Sequence, residues 1–198
     1  MNNYYININR QFGSLGRPIA KELAKILNIE YYDRDIVEEA AKKLNISVSE
    51  ASDQDEKGTS PFARMAHPLG QGSSANQDKL FSVEQEVILG FANKGSGIFV
   101  GRCADYVLRE KKNCLNVFIY APEEERYLNC VNTLGMEPKE ARDMIAKVDK
   151  ARELYWKKYT GHTPDDFESN HLMINSSLFG VTGTAKLLAS IAKSLFQD

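Results

Sequence analysis

Several stretches of this chain bring together residue types suited to handling phosphate. The first is Arg10-Gln11-Phe12-Gly13-Ser14-Leu15-Gly16-Arg17-Pro18, lying between an alternating Tyr4–Ile8 run and an amphipathic segment. In that segment Ile19, Leu23, Ile26 and Leu27 fall at i, i+4, i+7 and i+8. The pattern predicts a strand, a tight turn and a helix. Pro18 suits the first helical turn, where its missing N–H costs nothing. A helix start in such a turn offers unpaired N–H groups and partial positive charge, and both favour an anion. Gly13, Ser14, Leu15, Gly16 and Arg17 are therefore candidate phosphate-binding residues. A plain strand–helix turn with purely conformational glycines is the alternative. A complete P-loop has Gly, four residues, then Gly, Lys and Ser or Thr. Here Gln11 holds the first position and Arg17-Pro18 the last two, so the cation is a planar fork and the metal-binding hydroxyl is missing. Arg10, just before the turn, is a possible substitute cation.

Other candidates stand where predicted strands end. Asp33 and Arg34 follow a short strand, Ile29 to Tyr32, and open a helix with Ile36, Val37, Ala40, Ala41 and Leu44 on its apolar face. Open α/β sheets bind ligands at that strand edge; an Asp33 cap and a surface ion pair are the alternative. Arg102 follows Ile98-Phe99-Val100, a fully apolar run suited to a central parallel strand. An arginine there suits ligand contact, with a structural ion pair as the alternative. Arg142, Asp149 and Arg152 are spaced by seven and three in a helix predicted from Pro138 to about Tyr159, and Trp156 continues that face. They form either a polyanion clamp or a solvated salt bridge. Arg126 lies in a charged helix predicted over Glu123–Val131.

These positions need a scaffold. Ser47 to Glu56 suits a short helix capped by Ser49. Gly58 to Asp78 is rich in Gly, Ser, Pro, Asn and Gln and reads as a mobile loop, with a helical turn near Phe62 to Ala66. It is either a functional lid or a flexible insertion. A helix over Leu80–Asn93 and a strand over Leu115–Tyr120 follow. The last strand is His171–Asn175, then a loop through Asn175, Ser176 and Ser177, and a helix over Thr184–Phe196 with Leu187, Ile191 and Leu195 inward. Alternating strands and helices imply one α/β unit, a parallel sheet with helices on both faces.

Composition narrows the function. With 198 residues the chain can bury a proper core. A formal net charge of −2 argues against broad nucleic-acid binding. No apolar run approaches the roughly 20 residues that span a bilayer. Cys103, Cys114 and Cys130 form no CxxC, which fits a reduced cytoplasmic setting. His67, His162 and His171 lack metal-ligand spacing.

Taken in order, Arg10 to Arg17, Tyr32-Asp33-Arg34, Gly101-Arg102-Cys103-Ala104-Asp105-Tyr106 and Asp149-x-x-Arg152 resemble the cytidylate kinase-like proteins, a branch of the nucleoside monophosphate kinases. The resemblance covers nearly the whole chain, less clearly Lys57 to Lys79. It implies a three-layer P-loop kinase fold over residues 1–198, with a mobile insertion at about 57–79 and a helical lid and long helix at about 121–160. It implies ATP as donor, Mg²⁺ as its companion and a nucleoside monophosphate such as CMP as acceptor. By resemblance Gly13 to Arg17 hold the donor phosphates, Asp33, Arg34, Arg102, Asp149 and Arg152 the acceptor, and Asn175, Ser176 and Ser177 the donor base. Arg17, Arg126 and Arg142 would cover the transferring group. The family's Gly-Arg-Asp reads Gly101-Arg102-Cys103 here. With Pro18 in place of a hydroxyl, a metal would need Ser14, water or a carboxylate such as Asp33. A nucleotide sensor without turnover, or a kinase of another small hydroxyl compound, are the rival expectations.

Overall fold

A computed structural model describes residues 3–46 and 74–196. Five strands form one all-parallel sheet in the order β2-β3-β1-β4-β5. They are β1 (Tyr5–Arg10), β2 (Glu30–Tyr32), β3 (Gly97–Val100), β4 (Cys114–Tyr120) and β5 (Leu172–Asn175). The helices are α1 (Gly16–Leu27), α2 (Arg34–Leu44), α3 (Ser74–Ala92), α4 (Ala104–Val107), α5 (Glu123–Leu128), α6 (Pro138–Thr160) and α7 (Ser176–Phe196). A π-helical turn, Asn129–Thr133, extends α5.

The apolar pattern decides which face each element covers. Ile6 and Ile8 of β1, with Ile98, Val100, Val117 and Ile119, pack against Ile19, Leu23 and Leu27 of α1 and Ala185, Leu188 and Ala192 of α7. On the other face Tyr5 and Phe99 pack against α2, α3 and α4. Further along, α6 closes over Phe12, Cys130 and Met136. Tyr155 and Trp156 of α6 join Phe81 of α3 and Cys103. The expected three-layer α/β arrangement is present, with β1 at the centre and the sheet's C-terminal edge built around the loop that follows it.

Several boundaries move. Helix α3 begins at Ser74, so the expected loop to Asp78 and start at Leu80 are both too late. The rest of the proposed insertion, with the Ser47–Glu56 helix, the Ser49 cap, the Phe62–Ala66 turn and His67, lies outside the described residues. Helix α7 begins at Ser176 and bends at Gly180 (φ 63°), so Ser176 and Ser177 are its first turn rather than a loop. Its buried stripe is Thr184, Ala185, Leu188, Ala189 and Ala192, whereas Leu187 and Leu195 are exposed. The packing surface of α7 is one residue out of phase with its largest side chains, because α1 approaches over small ones.

Candidate functional site

The loop after β1 is shaped by backbone conformation and braced from below. Gly13 has φ 79° and Leu15 φ 59°, the latter uncommon for a residue with a Cβ. The Gly13 position is also sterically closed: an added Cβ would stand 2.7 Å from the Arg126 carbonyl oxygen. The Phe12 N–H donates to Asp149 Oδ1 (2.7 Å), and Arg126 Nη1 donates to Asp149 Oδ2 (2.5 Å) and to the Phe12 carbonyl (3.2 Å). Asn129 Nδ2 donates to the Gly13 carbonyl (2.9 Å). The Gln11 side chain accepts from the Ala121 N–H (3.2 Å). Arg126 and Asp149, expected at the transferring group and the acceptor, thus hold the loop. A carboxylate and a guanidinium sharing one loop residue's N–H and C=O fix its path more firmly than packing alone.

Ser14 is fully buried. Its Oγ lies 2.9 Å from the Gln11 carbonyl oxygen and 3.1 Å from that of Ile119. Ser176 Oγ donates to the Ser14 carbonyl (2.8 Å), while Asn175 Oδ1 accepts from the Ser177 N–H and hydroxyl. Asn175 therefore caps α7 and Ser176 ties it to the loop. Ser14's hydroxyl faces the sheet rather than the loop mouth, and Asp33 is held by Arg17 and Tyr31. Among the described residues no group of three His, Cys, Asp or Glu could hold a metal. Neither Ser14 nor Asp33 is thus free to hold a metal by itself.

Above the loop the arginines converge. Arg17 lies 2.7 Å from Asp33 through Nε, off line for a hydrogen bond, and donates through Nη2 at 3.3 Å. Tyr31 OH donates to the same carboxylate (3.1 Å). Burial alone would raise Asp33, but Arg17 and Arg10 outweigh it and leave it below its ordinary value. Asp33 sits at the start of α2 without capping it, because its carboxylate is spent on Arg17. Arg34 is exposed and lies 3.7 Å from Glu38 on α2.

Arg102 Nη1 donates to the buried Glu84 of α3 (3.0 Å), which also accepts from Tyr155 OH (3.1 Å). Arg102 lies in a turn where Gly101, Arg102 and Cys103 all have positive φ (75°, 58° and 52°). At the two residues with a Cβ, Arg102 and Cys103, this is strain of order 1–3 kcal/mol each, which persists where surrounding structure over-determines it and clusters at functional sites. Arg152 Nη1 donates to the Arg10 carbonyl (2.8 Å), and burial pushes its guanidinium down to about 10. Arg142 does not join the group: it is exposed, stacks on Tyr127 and lies 3.5 Å from Glu124. Helix α6 turns Arg152 inward while Arg142, three turns earlier, faces out.

Sequence reasoning gave Arg10 and Glu84 too small a part. Arg10 shares the site with Arg152, Arg17, Asp33 and Tyr31. Glu84 was hidden on the apolar face of α3, among Val83, Val87 and Ile88. A cleft of about 490 Å³ opens beside Arg10, Gln11, Asp149 and Arg152 and is bounded across by Thr163–Asp165. That is within the usual range for small-molecule sites.

A 2-3-1-4-5 parallel sheet with a glycine-bearing β1–α1 loop at its C-terminal edge is the three-layer arrangement of the P-loop kinase fold. The chain belongs to the cytidylate kinase-like family, whose sequence model matches residues 5–178. Among solved structures it is similar to an uncharacterized protein from Eubacterium ventriosum ATCC 27560, with 25% identity, 98% and 99% of the two chains covered, and a TM-score of 0.74. Shikimate kinase from Acinetobacter baumannii, solved with shikimate, matches at 12% identity over 100% and 97%, with a TM-score of 0.56. A sugar kinase from Janibacter sp. HTCC2649 matches at 13% over 99% and 95%, with a TM-score of 0.51. No functionally curated protein matches the sequence significantly. No helix among the described residues is long and apolar enough to cross a membrane.

Proposed function

We propose that this protein is a nucleotide kinase that moves the γ-phosphoryl of ATP to a phosphate-bearing acceptor, a nucleoside monophosphate such as CMP. The observation that carries this reading is the charge at the sheet's C-terminal edge. Among the described residues Arg10, Arg17, Arg102, Arg126 and Arg152 face Asp33, Glu84 and Asp149. Around the loop five guanidiniums stand against three carboxylates, while the cleft rim adds Lys150, Glu153 and Asp165, so the positive excess is concentrated at the loop and not spread over the cleft. A phosphate is the ligand class that such a local cluster of guanidiniums suits. A neutral polyol would use none of that charge, which favours a phosphorylated acceptor over a plain sugar.

In this reading the backbone of the Gly13–Gly16 turn takes the donor phosphates at the α1 start, and Arg102 and Arg152 take the acceptor phosphate. The cleft beside Asp149 houses a nucleoside, and the first turn of α7 borders the donor base. Catalysis of phosphoryl transfer is mostly positioning and charge neutralisation. Here the arginines supply the neutralisation, and Mg²⁺ arrives with ATP as part of the substrate. The test is ADP release in a coupled assay with a panel of nucleoside monophosphates, shikimate and simple sugars. Turnover with a monophosphate is expected; turnover with shikimate or a sugar and with no monophosphate would overturn the reading. A second reading, a nucleotide sensor without turnover, is favoured by Pro18 and by the inward Ser14 hydroxyl, and predicts ATP binding without ADP release from any acceptor.

A further inference from the structure

We infer that Arg10, at the end of β1, is the cation that neutralises the donor phosphates, and that Arg17 is a latch on Asp33 and not the stand-in for the P-loop lysine. This rests on the kinase reading above and assigns a residue within that site. Three geometric facts carry it. First, β3 ends at Val100, opposite Ile8, so on that side β1 runs two residues further and leaves Arg10 with no strand beside it, while β4 pairs it with Ile119 on the other. Second, two glycines make room for its side chain. A Cβ on Gly16, the first residue of α1, would stand 2.7 Å from Arg10 Cβ and 2.9 Å from Cγ. A Cβ on Gly101 would collide with Arg10 Nη1. The side chain therefore runs across the helix start and ends over the strained Gly101–Cys103 turn.

Third, the guanidinium is left without a partner. Among the described residues Arg10 makes no side-chain hydrogen bond or ion pair, whereas Arg17, Arg102, Arg126 and Arg152 all do. Burial, then Arg152 and Arg17, hold it well below the ordinary arginine value, only partly offset by Asp33 and Tyr31. A part-buried cation beside two other guanidiniums, whose nearest carboxylate, Asp33, is already bonded to Arg17 and Tyr31, is costly unless a ligand supplies further negative charge. Arg17, by contrast, has a side chain 40% exposed and is committed to Asp33.

The two roles separate under substitution. Binding of ATP, with and without Mg²⁺, and of pyrophosphate is measured by calorimetry for wild type, Arg10→Gln, Arg10→Lys and Arg17→Gln, alongside ligand-free melting curves. Arg10→Gln is expected to lose at least about 30-fold in affinity for both ligands, as fits the loss of one charge-assisted phosphate contact. Without ligand it should melt at or above the wild-type temperature, because a repelled cation has gone. Arg10→Lys should recover part of the affinity. Arg17→Gln should lose less than about threefold, because its contact is with Asp33 and not with the phosphates. Unchanged ATP affinity in Arg10→Gln, a greater loss in Arg17→Gln, or a lower ligand-free melting point in Arg10→Gln would each overturn the assignment. Pyrophosphate binding that needs Arg10, in a protein that ignores every nucleotide, would uphold Arg10 and overturn the nucleotide reading instead. A wild type that binds neither would overturn both.

Discussion

Replacing Asp149 by Ala separates a ligand contact from a loop brace. Its carboxylate accepts from the Phe12 N–H at 2.7 Å and from Arg126 at 2.5 Å. The Arg126 side chain is 9% exposed and that of Asp149 28%. Removing one partner of a fully buried pair costs about 3–5 kcal/mol, because the other charge is left uncompensated. Water can reach the Asp149 side, which tempers the loss to about 2–3 kcal/mol. For a chain of this size each kcal/mol is worth roughly 2–4 °C, so the melting temperature should fall by roughly 4–12 °C. Asp149→Asn keeps an acceptor for Phe12 but not the charge and should cost about half as much. In the double variant Asp149→Ala/Arg126→Met no charge is stranded, so its loss should be smaller than the sum of the single losses by at least about 1 kcal/mol. Thermal and urea unfolding would provide the cycle. If Asp149→Ala stays within about 0.5 kcal/mol of wild type while nucleotide affinity collapses, Asp149 touches ligand and the bracing argument fails.

Two further outcomes follow from the buried carboxyls. Arg102→Ala strands Glu84, which is 1% exposed, and should cost about 3 kcal/mol in urea unfolding; adding Glu84→Gln should restore more than half. No change in stability, together with lost monophosphate affinity, would place Arg102 wholly at the ligand. Asp105 is raised above its ordinary value by burial, against the hydrogen bonds it accepts from Trp156 and Asn9, and its Oδ1 has no partner. The folded state thus holds this proton longer than the unfolded one, so Asp105 subtracts stability as pH rises through and above the ordinary carboxylate range. Asp105→Asn should match wild type below about pH 4 and exceed it above, by urea unfolding across pH; a difference flat in pH would refute this.

The sequence carried the sheet because its signals were strong and local. The apolar run Ile98–Val100 became the buried β3, and Ile19, Leu23 and Leu27 became the core face of α1. The Ile–Asn alternation of β1 misleads, since it suggests one wet face. Asn7 and Asn9 are buried, and they donate to Asn116 and Asp105, partners some hundred residues away. The same limit hid Glu84, whose reason for sitting on an apolar helix face is Arg102 and Tyr155. The spacing of Asp149 and Arg152 puts them on one face of α6, but spacing along a helix cannot say what the helix rests on. The loop it rests on takes up Asp149, while Arg142, in phase on paper, meets solvent.

Gly13 and Gly16 show how one residue type carries two messages. Gly13 needs its positive φ, the conformational reading that a turn invites. Gly16 has an ordinary helical backbone, so alanine would suit it on propensity alone. Its missing side chain is explained by the Arg10 stem lying across it. A loop lysine in a P-loop springs from the helix start and reaches back over the phosphates. Here the helix start is bare and the cation comes from the preceding strand end, over a second bare position at Gly101. Glycine at both places and arginine at position 10 form one steric unit, and Arg17, freed from that duty, closes on Asp33. The departure from the P-loop pattern at Arg17-Pro18 is on this account a relocation of the positive charge.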